Sequence, residues 1–199
     1  MADDCLYTQG YFAGEYLVSV DIHALYQMAG RDYTSDEWYR YYGGMRFLNI
    51  TIPQGATILS AYLKLKANLN LAVTTVNTRF EGQNSDDTNT FVEDPITDYE
   101  GRPRTVAKVN CNAIPAWVLG TLYTSFDIKT IIQEIVNRGG WTSGNSIVIF
   151  WNENGSSAKI ACFRSGYSYD DSPSDAPTLE ITYEEVGIIQ RRKLVGVGL

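Results

Sequence analysis

The only histidine of the chain, His23, is the first residue to consider for chemistry, because histidine titrates near neutral pH and often acts as a general base. A hydrolytic triad would need this residue beside a serine or cysteine nucleophile. No G-x-S-x-G or comparable nucleophile motif surrounds any serine or cysteine. We therefore expect His23 to be a packed or surface residue, and we expect no catalytic residues and no enzymatic activity.

Carboxylates occur in neighbouring pairs, an arrangement that both glycoside hydrolysis and calcium binding use. The pairs are Asp86–Asp87, Glu93–Asp94, Asp98–Glu100 and Asp170–Asp171. None has the spacing of an EF-hand loop, and all lie in polar stretches, so we expect them to be solvated loop residues. A structural calcium ion on Asp86, Asp87 and Asp94 stays open as an alternative, and no other cofactor is expected.

The three cysteines, Cys5, Cys111 and Cys162, are far apart, and no two of them form a C-x-x-C pair. This spacing disfavours a zinc site. We expect reduced thiols that pack as small apolar side chains, with one disulfide left open as an alternative.

Aromatic residues are concentrated in the stretch RDYTSDEWYRYYGG, which is polar, ends in two glycines and is predicted to be a loop. Exposed rings can serve as a protein interface, as packing within the domain or as a platform on which sugars stack. All three roles stay open for this cluster. Its members are Tyr33, Trp38, Tyr39, Tyr41 and Tyr42.

The clearest strand is predicted in ATILSAYLKLKA, where apolar and polar residues alternate strictly. Leu59, Ala61, Leu63, Leu65 and Ala67 would point to one face of this strand. A strand with one apolar and one polar face is typical of antiparallel sheets.

The stretch SFDIKTIIQEIVNRGGW changes to the spacing of an amphipathic helix. Its apolar residues are Ile128, Ile131, Ile132, Ile135 and Val136. Ser125 or Asp127 can cap the start of this helix, and Gly139 with Gly140 can end it. With about eight short strands and this one helix, the sequence predicts an all-β antiparallel sandwich of the jelly-roll type.

Charge divides the chain into an acidic body and a basic tail. The net charge is −7, and without Arg191, Arg192 and Lys193 the body has 13 basic against 23 acidic residues, about −10. An acidic body disfavours binding to nucleic acid or to an anionic membrane. We expect the tail after Tyr183 to dock on a neighbouring subunit. Its docking residues would be Ile188, Ile189, Arg191, Arg192, Lys193 and Leu194.

Three stretches resemble one known family, the DNRLRE-type domains. MRFLNITIPQGATILSAYLKLKA resembles their core motif, DIKTIIQEIVNRGGWTSGNSIVIFW resembles their helix-turn-strand, and SYDDSPSDAPTLEITY resembles their ending. The resemblance implies a jelly-roll domain similar to carbohydrate-binding modules, as found in phage structural proteins. We therefore divide the chain into N-terminal strands with the aromatic loop (1–43, a candidate assembly arm), a jelly-roll sandwich (44–184) and a docking tail (185–199).

The opening MADDCLYTQGYFAG lacks the basic and apolar regions of an export signal. A virion protein is made in the host cytoplasm and reaches the outside by lysis. Together with the resemblance, this predicts a bacteriophage virion structural protein (capsid decoration, head fibre or tail-associated) that contacts other copies of itself and other virion proteins. The alternative is a glycan-binding module that attaches to a cell surface. Neither alternative includes nucleic acid binding or membrane insertion.

Overall fold

The described part of the chain forms twelve strands and two helices. The computed structural model describes residues 4–34, 36–93, 97–185 and 188–195, with backbone alone for residue 185 and residues 188–195. The strands are β1 (Asp4–Phe12), β2 (Glu15–Asp21), β3 (Tyr26–Tyr33), β4 (Trp38–Phe47), β5 (Thr57–Lys66), β6 (Val76–Gln83), β7 (Arg104–Ile114), β8 (Leu122–Thr124), β9 (Ile147–Glu153), β10 (Cys162–Tyr167), β11 (Thr178–Glu185) and β12 (Ile188–Val195). The helices are α1 (Thr97–Glu100) and α2 (Lys129–Val136).

The strands form two antiparallel sheets. The larger sheet has the order β10–β3–β4–β9–β6–β7, and β1 pairs with both β4 and β2. β1 follows one edge of β4 over residues 38–45, whereas β3 and then β9 share the opposite edge. The smaller sheet has the order β12–β11–β5–β8. These sheets confirm the predicted all-β antiparallel sandwich, although the expected number of about eight strands was too low.

Apolar residues of both sheets and of α2 fill the space between the sheets. Phe47, Ile149 and Trp151 of the larger sheet and Leu63 and Ile181 of the smaller sheet are all buried in one cluster. Burial of each large apolar side chain contributes about 1.5–3 kcal/mol. Because this core lies between the inner faces of the two sheets, the outer face of the larger sheet is free to carry polar and aromatic side chains.

Strand β5 has the predicted alternation, with one correction at its start. Ala61 and Leu63 are buried as expected, but Leu59 is exposed and Ile58 is buried instead. The pairing with β11 skips Leu59, which is therefore the extra residue of a β-bulge. A bulge reverses the alternation on one side of it, so the strict period of the sequence predicted the wrong face for Leu59.

Helix α2 packs its predicted apolar stripe against the sandwich. Ile131, Ile132, Ile135 and Val136 are its buried residues. At its start, the Asp127 carboxylate accepts hydrogen bonds from the backbone N–H groups of Lys129 at 2.9 Å and Ala61 at 3.0 Å. Asp127 therefore ties the first turn of the helix to β5.

The polar segment between β6 and β7 covers part of the outer face of the larger sheet. We call its described residues, 84–93 and 97–103, the covering loop. Phe91 and Tyr99 of this loop are buried against Phe150 of β9 and Cys5 of β1. Most of this loop is polar in sequence, but two rings anchor it in a second, smaller apolar cluster.

Both predicted end segments contribute strands to the sheets. Residues 4–43 form β1, β2, β3 and the first half of β4, so the boundary at residue 43 falls inside a strand. In the tail, β12 pairs with β11 from Glu185 opposite Ile188 to Thr178 opposite Val195. The tail backbone therefore extends the sheet of its own chain, and docking through its side chains stays a prediction.

Candidate functional site

Four aromatic side chains form a row across one end of the larger sheet. Tyr16 of β2 lies opposite Tyr11 of β1, and Tyr11 lies opposite Trp38 of β4. Trp38 in turn lies opposite Tyr33 of β3. Residues directly opposite each other on neighbouring strands share a face. We call these four residues the aromatic row. Tyr16 is 58% exposed, and its ring meets the Trp38 ring edge to face at 5.9 Å.

The aromatic cluster lies in strands, so the prediction that it forms a polar loop was wrong. β3 extends to Tyr33, β4 begins at Trp38, and only the residues between them connect the two strands. Tyrosine and tryptophan favour strands, and β1 and β3 provide backbone partners on both edges of β4. Because these partners are distant in sequence, the local polar composition predicted the wrong structure.

Alternation along β4 also divides the predicted cluster between two faces. Trp38 and Tyr42 lie on the outer face, whereas Tyr39 and Tyr41 lie on the opposite face. The Tyr41 ring packs edge to face on Phe163 at 5.1 Å. The five residues therefore do not form one surface, and Tyr41 serves packing within the domain.

A shallow polar groove lies beside the aromatic row on the same face, because Tyr11, Gln9 and Tyr7 occupy alternate positions of β1. Its central residues follow the strand pairing, from Tyr7 to Tyr42 on β4 and then to Asn152 on β9. The cavity measures about 250 Å³. We call it the outer-face groove. It is lined by Tyr7, Gln9, Tyr42, Arg79, Glu81, Tyr99, Glu100, Arg104, Asn152 and Glu153.

A buried carboxylate, Glu81, forms the floor of the outer-face groove. Its Oε1 atom lies 3.1 Å from Arg79 Nε and 3.0 Å from Lys108 Nζ, and its Oε2 atom lies 3.7 Å from Arg104 Nε. The Asn152 amide donates a hydrogen bond to Oε2 at 2.8 Å. A buried carboxylate needs such partners, because an unpaired one would be strongly destabilising. Three cations surround this carboxylate, and Glu100 and Glu153 add two further carboxylates to the lining of the groove.

Two phenols of the groove are held in hydrogen bonds. Tyr7 donates a short hydrogen bond to Glu100 and accepts one from Gln9 Nε2 at 2.8 Å. Burial, and next the hydrogen bond to Glu100, raises the pKa of Tyr7. Burial also raises the pKa of Tyr99, which donates to Asn152 Oδ1 at 2.7 Å. Both phenols therefore stay protonated near neutral pH and act as hydrogen-bond donors.

The predicted calcium residues have protein partners where the structure describes them. Asp86 accepts a hydrogen bond from Arg138 Nε at 2.6 Å, and Asp87 accepts one from the Ser146 backbone N–H at 2.8 Å. Burial raises the pKa of Asp87, but hydrogen bonds from Ser146 and Thr88 outweigh this effect, so that the pKa is lowered. Asp94 lies outside the described residues. Among the residues described, no group of three or more His, Cys, Asp or Glu is placed to hold a metal ion.

His23 lies on the surface, in the turn that follows β2. Its side chain is 71% exposed, and Nδ1 lies 3.8 Å from the Asp170 carboxylate. Of the two expected positions, packed or surface, the structure gives the surface one.

All three cysteines are buried free thiols. Burial raises the pKa of Cys111 to about 11 and that of Cys5 well above its ordinary value. This confirms the expectation that the thiols pack as small apolar side chains.

Sequence reasoning missed the residues of the outer-face groove, because they come from separate strands. The one usable signal was the alternation in VNTRFEG, where Arg79 and Glu81 occupy the face opposite to Thr78 and Phe80. Opposite charges two positions apart on a strand indicate a polar face but do not reveal its partners.

Comparison with known proteins gives no further guide to this site. No family model matches the chain, and none of the curated proteins matches it. The resemblance to DNRLRE-type domains therefore stays a prediction. In the part of the chain described above, no helix is both long and apolar enough to cross a bilayer.

Proposed function

We propose that the chain is a non-enzymatic structural protein of a bacteriophage virion, which acts through contacts with other copies of itself and with other virion proteins. It would be made in the host cytoplasm and would act in the released particle. Capsid decoration, a head fibre and a tail-associated position are all consistent with this proposal.

The observation that carries the proposal is the exposure of the aromatic row. Tyr16 is 58% exposed, Tyr11 is 39% exposed and Tyr33 is 38% exposed, so three of the four rings of the row are open to solvent on one face. Soluble monomers rarely leave a contiguous apolar patch uncovered, and the cores of protein interfaces are enriched in tyrosine and tryptophan. A second copy that covers this end of the sheet would bury these rings.

Light scattering after size-exclusion chromatography tests the subunit contact. We expect the wild-type chain to form a homo-oligomer and Tyr16→Asp to shift it to the monomer, because the new charge would be buried between copies. Phe126→Asp is the matched control, since Phe126 is also an exposed ring but lies in the segment between β8 and α2. A wild-type monomer at all concentrations would contradict the contact. Mass spectrometry of purified particles tests the virion assignment, and absence of the chain from them would contradict it.

A second candidate function, binding of surface glycans, is favoured by the outer-face groove. Sugars present apolar C–H faces and polar hydroxyl edges, and the groove combines ring faces with amide, carboxylate and phenol groups. Trp38 is the ring that joins the aromatic row to this groove. Screening the chain against immobilised glycans tests this function, and Trp38→Ala should weaken any binding while leaving the fold intact. A screen without any bound glycan would contradict it.

A further inference from the structure

We propose that the outer-face groove and the aromatic row together bind an oligosaccharide whose sugars carry carboxylate groups. The proposal rests on the second candidate function and specifies its ligand class. It is argued from the continuity of the two features, from their charge and from their hydrogen-bonding groups.

The two features form one continuous surface. On β4, Trp38 of the aromatic row, Arg40 and then Tyr42 of the groove lie at alternate positions and share a face. The Arg40 guanidinium lies over the Trp38 ring at 5.1 Å. The four residue steps from Trp38 to Tyr42 span about 13 Å of strand, which suits an oligosaccharide rather than one sugar.

The charge of this surface is opposite to that of the whole chain. The groove itself is lined by two cationic and three acidic residues, but with the three cations beside it, five cationic residues face three acidic ones between the aromatic row and β7. The cations are Arg31, Arg40, Arg79, Arg104 and Lys108, and the acids are Glu81, Glu100 and Glu153. The chain carries a net charge of −7, so this concentration of cations is local. A local positive surplus favours an anionic ligand over a neutral one.

Guanidinium groups determine which anion this surface would prefer. Arg79 lines the groove with its Nε atom 3.1 Å from Glu81, and Arg40 lies between Trp38 and Tyr42 on the same face. A guanidinium can bind a planar carboxylate with two parallel hydrogen bonds through its terminal nitrogens. Neutral sugars offer hydroxyl acceptors but no opposite charge for this geometry, so a sugar carboxylate is the group that fits best.

Amide and carboxylate groups of the groove suit the hydroxyls of the same ligand. Glu100 is an exposed acceptor at the rim, and the half-buried Gln9 beside it has an amide oxygen that accepts one bond from Tyr42 and can accept a second. Exposed ring faces of the aromatic row carry partial negative charge, which attracts polarised C–H groups of a sugar ring. The surface therefore has a partner for each part of an acidic sugar.

Calorimetric titration of the full chain tests the proposal with three probes of similar length: an oligogalacturonate, a neutral cello-oligosaccharide and single-stranded oligothymidylate. We expect the oligogalacturonate to bind at least about tenfold more tightly than the other two. Raising the salt concentration from about 50 to about 500 mM should weaken that binding, because salt screens exposed charges.

Substitutions locate the binding surface. Arg40→Gln should lower the affinity for oligogalacturonate about tenfold, and Trp38→Ala should do so for both oligosaccharides. The matched controls are Lys64→Gln, which removes a charge from the smaller sheet, and Phe126→Ala, which removes a ring outside the surface. Both controls should bind as the wild type does, and thermal unfolding should show all four variants folded.

Each result decides between defined alternatives. Equal affinity for the acidic and the neutral oligosaccharide would overturn the proposal while glycan binding stands. No binding to either would overturn both the proposal and the second candidate function. Equal or tighter binding of oligothymidylate would identify a nucleic-acid surface instead, and full affinity in Arg40→Gln would place the ligand elsewhere.

Discussion

Arg102 provides the sharpest test of how the covering loop is held on the larger sheet. The residue is buried, and its guanidinium lies over the Phe91 ring at 4.2 Å. Its Nη1 atom donates to Gln83 Oε1 at 3.0 Å and to the Asn89 carbonyl at 2.8 Å. Its Nη2 atom donates to the Thr90 carbonyl at 2.7 Å, and the Asp98 carboxylate accepts a further pair of bonds at 3.0 Å. One side chain thus joins both halves of the loop to β6.

Arg102→Met keeps most of the side-chain volume but removes all of these donors. Loss of one member of a buried ion pair costs about 3–5 kcal/mol, and partial exposure of Asp98 reduces this to about 2–4 kcal/mol. In a chain of 199 residues, that loss corresponds to a decrease in Tm of about 5–15 °C. Because the loop carries Tyr99 and Glu100, the outer-face groove should also lose its rim.

Thermal unfolding followed by circular dichroism measures the stability, and limited proteolysis reports whether the loop detaches. Lys66→Met is the matched control, since Lys66 has the same charge and also pairs with a carboxylate, but both its side chain (33% exposed) and that of Asp175 (26% exposed) remain open to solvent. A pair that solvent screens on both sides contributes about 0–1 kcal/mol, so the control should change Tm little. The reasoning is refuted if Arg102→Met melts within about 2 °C of the wild type with an unchanged digestion pattern.

Three further predictions concern packing, pH and thiol reactivity. Gly44→Ala should destabilise the fold by about 1–3 kcal/mol in urea unfolding, because its Cβ would lie 2.6 Å from Phe91 Cζ. In the control Gly139→Ala, the added Cβ would meet no atom within 4 Å, so the free energy of unfolding should not change. The pKa of Asp87 is lowered on folding, so the stabilising effect of its carboxylate is complete above the unfolded-state pKa of about 3.9 and is lost as pH falls below that value. Asp87→Asn should therefore flatten the acid side of a plot of unfolding free energy against pH. Burial raises the pKa of Cys111 to about 11, so a thiol reagent at pH 8 should label this residue only after denaturant is added, and rapid labelling of the native protein would contradict its burial.

Local periodicity was sufficient to predict β5 and α2. In β5, the alternation of Ala61, Leu63 and Leu65 reflects one buried face, which the side-chain sequence alone encodes. In α2, the spacing of Ile131 and Ile135 encodes a helical stripe in the same way. Both elements are regular and have one buried face, so the physical cause of their pattern lies within a few residues.

Non-local pairing explains why the N-terminal strands were not fully predicted. Residues 38–45 of β4 are stabilised by pairing with β1, about thirty residues earlier. The polar composition of the sequence around them does not indicate that partner. Gly43 and Gly44 suggested the end of an element, yet both lie inside β4. Their lack of a side chain makes room for Gln27 and Phe91, which only the folded structure brings near.

The ionic floor of the outer-face groove favours ligand binding over subunit packing as the function of this part of the face. Replacing a buried ion pair by apolar residues of similar volume is often neutral or stabilising, so the cluster around Glu81 is not required for a stable sheet. A subunit interface built from the aromatic row alone would also gain from an apolar floor. The combination of Glu81, its three cations and the Asn152 amide instead maintains polar groups beside exposed rings. The polar floor therefore suits a ligand with its own charges and hydroxyls, which is the use of this face that the second candidate function assigns to it.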